Sequence, residues 1–462
     1  DIIANIKAHD PDLLFFSGDQ SYDHKKHLAA WLLFGRQFGE IIRDRPTVCI
    51  PDDHDIGQGN LWGAGGKVSK TAAGHDGGYF HPVQYVKSVE NAQTGNLPDP
   101  YDPTPILRGI GVYYTSLNVG GVDFAIIEDR KFKSGPAGLV PKMGPRPDHI
   151  NDPNYDPKTV DVAGAKLLGE RQLKFLSEWG KDWRGVEMKA VLSQTVFANA
   201  AHIHRGQRLI ADMDSNGWPQ TGRNKAIDAI RKSYALMIGG DQHLATVIHH
   251  GIDEFNDAGF SFCVPSIVNF YPRQWIPLAK GIDPVTNALE HTGKYLDGFG
   301  NHLTMYAYAN PYEGKLNYPK WREKGHWGKL AAGHGIIRFN KKTRKITMEC
   351  WPRGVDVTKK DAKQFPGWPI TINQLDNFGK KAVAYLPTIK VSGMTMPVIQ
   401  VIDESNKQVV YTLRIKGDQF RPKVFAKGSY TVIVGDQQNK VKKLKGLKSL
   451  AAEDTKIIKV AF

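Results

Sequence analysis

The chain has 462 residues, 41% hydrophobic and 23% charged, which excludes a disordered or collagen-like polymer and leaves one large domain with a smaller companion as the expectation. Its formal charge of +14 favours anionic partners, whether phosphate esters, polyanionic glycans, acidic lipid or nucleic acid, without choosing among them. Three widely spaced cysteines, Cys49, Cys263 and Cys350, lack a C-x-x-C pair, so neither a disulfide framework nor a zinc ribbon is expected, and no apolar run approaches the ~18 residues that would cross a membrane.

The opening stretch "DIIANIKAH" reads as a helix capped by Asp1. It leads to "DLLFFSGDQSY", where four apolar residues run into Gly18, Asp19 and Tyr22. A strand buried on both faces gives the apolar run, and a loop opening at its carboxyl end gives the polar switch. "KKHLAAWLLFGRQFGEIIRD" has the spacing of a long amphipathic helix and precedes a second such strand, "TVCIPDDHD". Residues 57 to 105 are rich in Gly, Pro, Asn and Asp and read as loops draped over a site. Within them "GQGNLWGAGGK" invites a phosphate-loop reading, which fails because Leu61 stands where G-x-x-x-x-G-K needs its first Gly and Val68 follows Lys67.

"VYYTSLNVGGVDFAII" reads as a hairpin turning on Gly120 and Gly121, so the sheets are mixed. "VDFAIIEDR", "KAVLSQTVF" and "YALMIGGDQH" repeat the pattern of an apolar strand with polar residues at its carboxyl end, with the helices "LGERQLKFLSEWGKDW" and "RNKAIDAIRKS" between them. Alternating strands and helices predict an α/β sheet whose ligands collect at the strand ends. Residues 250 to 330, with "VNFYPRQWIP" and "NYPKWREKGHWGK", read as aromatic insertions that shape a substrate pocket. "FNKKTRKITMECWPR" reads as a closing hairpin. From about Leu386 to Pro397 onward, short alternating strands predict a small β-sandwich, giving domains of residues 1–385 and 390–462. From Lys390 to the end the sequence carries 14 Lys and Arg against 6 Asp and Glu, so +8 of the +14 lies there. Its run "NKVKKLKGLK" is read as a solvated face, with polyanion contact as the alternative.

The strand ends gather Asp19 and Tyr22; Asp52, Asp53, His54 and Asp55; Asp129 and Arg130; Ser193 and Gln194; Asp241 and His243. Carboxylates and imidazoles crowded on one rim repel one another unless a cation holds them, so a multivalent metal centre is expected. An oxygen-rich donor set with a few imidazoles suits Fe, Mn, Mg or Ca, and a tyrosine among the ligands tilts the choice to ferric iron. Each residue also has a blander reading: Asp19 as a helix cap or turn residue, Tyr22 as packing, and Asp52 and Asp55 as acceptors that orient His54. His249 and His250 are read as surface or core residues.

"GDQSYD", "PDDHDIG", "EDRKFKSG", "LGERQ" and "GGDQH" resemble, in order and rough spacing, the alkaline phosphatase D (PhoD-like) family of metallophosphatases over about residues 1 to 355. The resemblance implies an α/β class fold, a metallophosphatase-like α/β/β/α sandwich, with the small all-β sandwich added at the carboxyl end. It implies a di- or multinuclear metal centre, Fe3+ with Ca2+, with Mn2+, Zn2+ or Mg2+ as alternatives, that hydrolyses phosphate mono- or diesters. Carried over residue by residue, Asp19 resembles the bridging ligand, Tyr22 the phenolate on iron, Asp53 the ligand that other metallophosphatases replace with Asn, Asp241 and His243 the late ligands, and His54 the imidazole beside the phosphate. The family also has a strand ahead of the first helix that carries a Cys or Asp-x-His ligand, and the present sequence starts at that helix. The fourth strand ends in "SQTVF" where general metallophosphatases place a His, leaving Gln194, Asn199, His202 or His204 as candidates.

The expected reaction is attack on phosphorus by a metal-activated hydroxide, with His54 protonating the leaving oxygen. Arg130 either forks onto the phosphate or braces Asp129, and bracing is the favoured reading. The substrate is a phosphate ester or phosphorylated glycan, with a sulfate ester as a further possibility, and no recognised nucleic-acid motif is present. A degenerate scaffold that binds polyanions or glycans without turnover is the alternative. The resemblance implies a periplasmic or extracellular location.

Overall fold

The structure is a computed structural model and describes residues 2–204, 206–267, 271, 273–310 and 333–462. Asp1, the expected first cap, lies outside the described residues, as does "NYPKWREKGHWGK".

Helix α1 (Ile2–His9) leads into strand β1 (Leu14–Phe16), and α2 (His27–Ile42) into β2 (Thr47–Cys49). β1 and β2 pair in parallel, with Phe16 opposite Cys49, so the loops carrying Asp19 and Asp52–Asp55 leave the same end side by side. Next come α3 (Val83–Thr94), β3 (Thr115–Val119), β4 (Val122–Ile126), the short β5 (His149–Ile150), α4 (Gly169–Lys181), β6 (Met188–Thr195), the short β7 (Ile203–His204), β8 (Gln207–Arg208) and β9 (Ala211–Asp212), and α5 (Gln220–Arg231). Then follow β10 (Leu236–Gly240), β11 (Ala245–His250), β12 (Phe260–Cys263), β13 (Arg273–Gln274), β14 (Gly293–Leu296), β15 (His302–Ala309), β16 (Gly333–Asn340), β17 (Lys345–Pro352) and β18 (Ile370–Asn373).

Eight strands form the main sheet in the order β14-β15-β11-β12-β10-β6-β4-β3. Its centre, β4, β6, β10 and β12, is parallel, and antiparallel strands flank it on both sides. The expected hairpin is β3–β4, with Val119 opposite Val122 and both turn glycines at positive φ, 58° and 83°, as a tight two-residue turn requires.

One face of this sheet, with Phe124, Leu192 and Ile238, packs on Val48 of β2 and on Ile346 and Met348 of β17. The other face packs on α4 through Phe175 and Trp179 and on α5 through Ile227 and Ile230. Helices α1 and α2 cover β1 from outside through Ile2, Ile6 and Ile41. The layers therefore run helix, sheet, sheet, helix, as expected, but β1 and β2 form a two-stranded sheet of their own rather than joining the main one. β1 and β16 are each the outer strand of their sheet, and both line a cavity of about 830 Å³ floored by Val122, Phe124, Leu192 and Ile238.

Two expected loop regions contain regular structure. Residues 57 to 105 include α3, whose Val86 and Val89 pack with Ile56 and Ile110, because its apolar residues recur at helical spacing inside a polar context. Residues 250 to 330 include β12, β14 and β15, which extend the main sheet; "HLTMYAYA" buries mostly small and aliphatic side chains there. His249 and His250 are buried in β11, bonded to the Ala258 carbonyl and the Ser261 hydroxyl. All three cysteines are free and buried.

Beyond residue 385, a four-stranded sheet (Val409–Arg414, Val398–Asp403, Ser429–Gly435, Val441–Lys448) faces a three-stranded one (Gln419–Phe420, Thr388–Ser392, Ile457–Ala461). Their shared core includes Trp183, Tyr234 and Phe378 from the preceding chain. Among the described residues no helix is long and apolar enough to cross a membrane.

Candidate metal centre

The site begins with backbone that only particular residues can supply. Gly18, at φ 122°, runs so close to the β2 loop that a Cβ there would stand 2.3 Å from the Cβ of Asp52. A Cβ on Gly240 would meet the Ser17 hydroxyl at 2.0 Å, so glycine lets the tip of β10 approach the tip of β1. Asp19 (φ 61°), Asp241 (φ 61°) and His243 (φ 51°) all adopt the left-handed conformation. Such a residue costs of order 1–3 kcal/mol and persists only where its surroundings over-determine it, so three of them at two facing strand tips mark a constrained site.

These tips bring the predicted carboxylates together. Ligand-capable atoms of Asp19, Asp53 and His54 lie within 4.8 Å of one another, and so do those of Asp52, Asp53 and Asp241. Asp53 belongs to both groups and joins the ends of β1, β2 and β10. The Tyr22 hydroxyl donates to Asp19 Oδ2 at 2.7 Å, which puts the phenol at the same carboxylate. His243 is half-buried beside Tyr271, and its buried Nδ1 has no hydrogen-bond partner.

Asp55 holds the frame. It accepts backbone N–H groups from Asp19 at 2.7 Å, Ser21 at 2.9 Å and Asp52 at 3.0 Å, fixing both loops at once. Asp52 pairs with Arg130 Nε at 2.9 Å. Neither acid is bonded to the His54 ring, as the blander reading of the two would have it, because each is taken by a stronger partner of its own. The partner of His54 is His24, whose Nε2 lies 2.8 Å from His54 Nδ1, while the Tyr22 ring stacks on His54 with centroids 4.2 Å apart.

Arg130 is fully buried among acids: Asp52, Asp214 Oδ1 at 2.7 Å and Asp241 Oδ2 at 3.0 Å, with Asp129 at 3.8 Å. A guanidinium so engaged has no free fork for a ligand, and its geometry is that of a brace. Gln194 donates to the Pro51 carbonyl and accepts from the Asp129 N–H, tying β6 to β2. Asn199 is spent on the Ile210 carbonyl and the Asp212 N–H, His202 stacks on Trp275, and His204 accepts from Arg273. The residue that β6 does send to the centre is Thr195, whose hydroxyl donates to Asp241 Oδ2 at 2.6 Å.

The electrostatics are one-sided. Among the described residues, Asp19, Asp52, Asp53, Asp55, Asp129, Asp214 and Asp241 share the arginine and lysine charges of Arg130, Arg273 and Lys133. Burial, with Asp55 next to it, pushes Asp19 up to about 7, and burial likewise raises Asp55 to about 7. Burial and neighbouring carboxylates hold Asp52 and Asp53 well above the usual carboxylate range. Burial would raise Asp214 too, but Arg130 and Arg273 outweigh it and hold that carboxyl low. Burial lowers His243 to about 3, leaving a neutral imidazole with a free lone pair. Asp129 Oδ1 is also buried without a hydrogen-bond partner. Surplus carboxylates, a neutral orphaned imidazole and a phenol are a donor set that fits a hard multivalent cation.

No family model and no curated protein matches this sequence. Among solved structures, the chain is similar to PhoD, with a TM-score of 0.48 at 14% identity over 83% of this chain and 68% of that one. It is also similar to the purple acid phosphatase PPD1 from yellow lupin (Lupinus luteus) seeds, with a TM-score of 0.41 at 12% identity over 80% of this chain and 48% of that one.

Four participants were missed in the sequence: His24, Thr195, Asp214 and Arg273. Asp214 lies on irregular chain after β9 and Arg273 on the two-residue strand β13, too short for any period to mark it; His24 follows "GDQSYD" directly, and that place beside the loop was the one available signal.

Proposed function

We propose that the chain is a metal-dependent phosphoesterase acting on phosphate mono- or diesters. The observation that carries this reading is the sharing of Asp53 between two groups of ligand-capable side chains, one with Asp19 and His54 and the other with Asp52 and Asp241. Asp19, Tyr22, Asp53, Asp241 and His243 would hold the metal, iron with calcium being the pairing the family resemblance implies. When bound, the metal supplies Lewis acidity toward phosphoryl oxygens and lowers the pKa of water.

The chain's own residues do the rest. His54 protonates the leaving oxygen, and His24, against its Nδ1, fixes the ring's orientation and tautomer. The stacked Tyr22 ring limits the tilt of that imidazole. Arg130 and Thr195 hold the Asp241 carboxylate at a set angle, and Asp55 keeps the Asp19 loop from drifting away from it. Tyr22, at 45% exposure, gives the pocket an aromatic rim suited to a sugar or aryl group on the ester.

The test uses the full chain with metal content verified, loaded with Fe3+ and Ca2+ or with Mn2+, Zn2+ or Mg2+, and assayed on p-nitrophenyl phosphate and its bis ester. Turnover is expected, and Asp19→Asn should lower it by at least about 10³-fold. Metal-loaded protein that hydrolyses neither ester, nor any natural phosphate ester offered, overturns the reading in favour of a binding scaffold.

A further inference from the structure

A second cluster lies beyond Arg273. β5 and β9 pair antiparallel with His149 opposite Asp212, and the β7–β8 hairpin brings His204 to the same place. Ligand-capable atoms of the three residues lie within 4.8 Å of one another, with His204 Nε2 3.5 Å from Asp212 Oδ2. Relative exposures are 5% for each histidine and 0% for Asp212.

Two buried atoms on these residues, His149 Nε2 and Asp212 Oδ2, have no hydrogen-bond partner. Leaving a buried polar atom unpaired costs about 1–3 kcal/mol, so two within one cluster of ligand-capable residues call for an occupant. The surrounding charges are Asp148, 3.6 Å from His149 Nε2, and Asp214, against Arg146 on Asp148 and Arg273. With Asp212 included there are three acids, set against Arg146, Arg273, which also lies 3.8 Å from Asp212 Oδ2, and Arg130 on Asp214. Burial keeps both imidazoles neutral, the ligating form, with His149 lowered to about 4.

We propose that His149, His204 and Asp212 form a second cation site, separate from the Asp19–Asp53–Asp241 centre and selective for a borderline divalent ion of the Zn2+ class. Two imidazoles and one carboxylate with a fourth position open is a donor set such ions favour and Ca2+ or Mg2+ does not. Arg273 decides access. Its Nε donates to His204 Nε2 at 2.9 Å, taking the lone pair an ion needs, while its other nitrogens hold the Asp241 carbonyl at 2.9 Å and Asp214 at 3.0 Å. Because the three nitrogens share one rigid plane, an ion at His204 requires the guanidinium to withdraw from His204 Nε2 as a unit. The ion would then clamp β5, β7 and β9 into one unit next to the first centre.

Zn2+ stoichiometry after dialysis tests this on the full chain, comparing the parent with His149→Ala/His204→Ala, Asp212→Asn and Asp19→Asn, with Co2+ as a visible-spectrum reporter. Both second-site variants should bind one equivalent less than the parent and lose a Co2+ band, whereas Asp19→Asn retains that equivalent and that band. Asp212→Asn preserves side-chain shape and decides the matter if the double variant does not fold. Second-site variants that bind as much Zn2+ as the parent overturn the proposal, whatever the turnover of the first centre.

Discussion

The strand tips around Asp19 and the sheets beyond residue 385 put charge to opposite uses. At the tips, carboxylates are buried or half-buried, outnumber their cationic partners and sit on left-handed backbone at Asp19 and Asp241. In the carboxyl-terminal sheets the charges are mainly lysines in water, and the left-handed residues Lys407 and Gln437 occupy turns. The net +14 therefore describes the surface, while the pocket is locally acidic. Whole-chain charge speaks to encounter and solubility; the sign of a site depends on which side chains the strand ends aim inward.

The contrast breaks most visibly in activity. Asp241→Asn removes the charge that one Arg130 ion pair and the Thr195 hydroxyl hold in place and should cut p-nitrophenyl phosphate turnover by about 10³-fold. His54→Ala should cost roughly 10²–10⁴-fold in the same assay, more with poor leaving groups than with good ones, since a leaving oxygen that needs no proton does not need His54.

The next effect joins the two regions. Trp183 is fully buried in the core of the carboxyl-terminal sheets although it follows α4, and the Arg414 guanidinium holds its carbonyl. Trp183→Ala should destabilise the protein by about 3–5 kcal/mol in denaturant unfolding. If the regions unfold as independent units, only the second of two transitions should move; a single shifted transition would mean that they unfold together.

Stability against pH sharpens the comparison further. Asp19 and Asp55 are raised by burial from 3.8 to about 7 in the metal-free protein, so the folded chain holds protons that the unfolded chain has released. Their contribution to stability is complete below about pH 4 and is lost as pH climbs through about 7. Metal-stripped protein should therefore melt at a lower temperature near pH 8 than near pH 5, and metal should remove most of that difference. A stripped protein that melts higher at pH 8 contradicts the burial assigned to these acids.

Much of this was legible in the sequence for a physical reason. Strands β1 and β10 are short apolar runs that stop at Gly-Asp, so Asp19 and Asp241 stand out as strand-end acids; β10 is buried throughout as that pattern suggests, whereas β1 is not, since Phe15 and Phe16 are half-buried and line the cavity. The resemblance supplied Tyr22 and His243, which no periodicity marks. What stayed hidden is what long-range closure decides: that Asp55 bonds the backbone of a loop 36 residues away, or that Asp214 and Arg273 meet at 3.0 Å. Strand β15 was hidden for another reason, since "HLTMYAYA" mixes small, aromatic and aliphatic residues with no clean alternation and takes its conformation from its neighbour β11.

The smallest expected effect is on the lysines themselves. Lys442, Lys443 and Lys445 lie exposed on Val441–Lys448, the outer strand of the four-stranded sheet, where its unpaired edge would otherwise template pairing with another chain. Lysine on such an edge needs no ligand to explain it, which is why the solvated-face reading competes with polyanion contact. Replacing all three with Gln should change unfolding stability by no more than about 0.5 kcal/mol and leave turnover intact. The two readings separate on other measurements: edge protection predicts self-association at high protein concentration in the variant with unchanged retention on immobilised heparin, whereas a polyanion surface predicts lost retention and no new association.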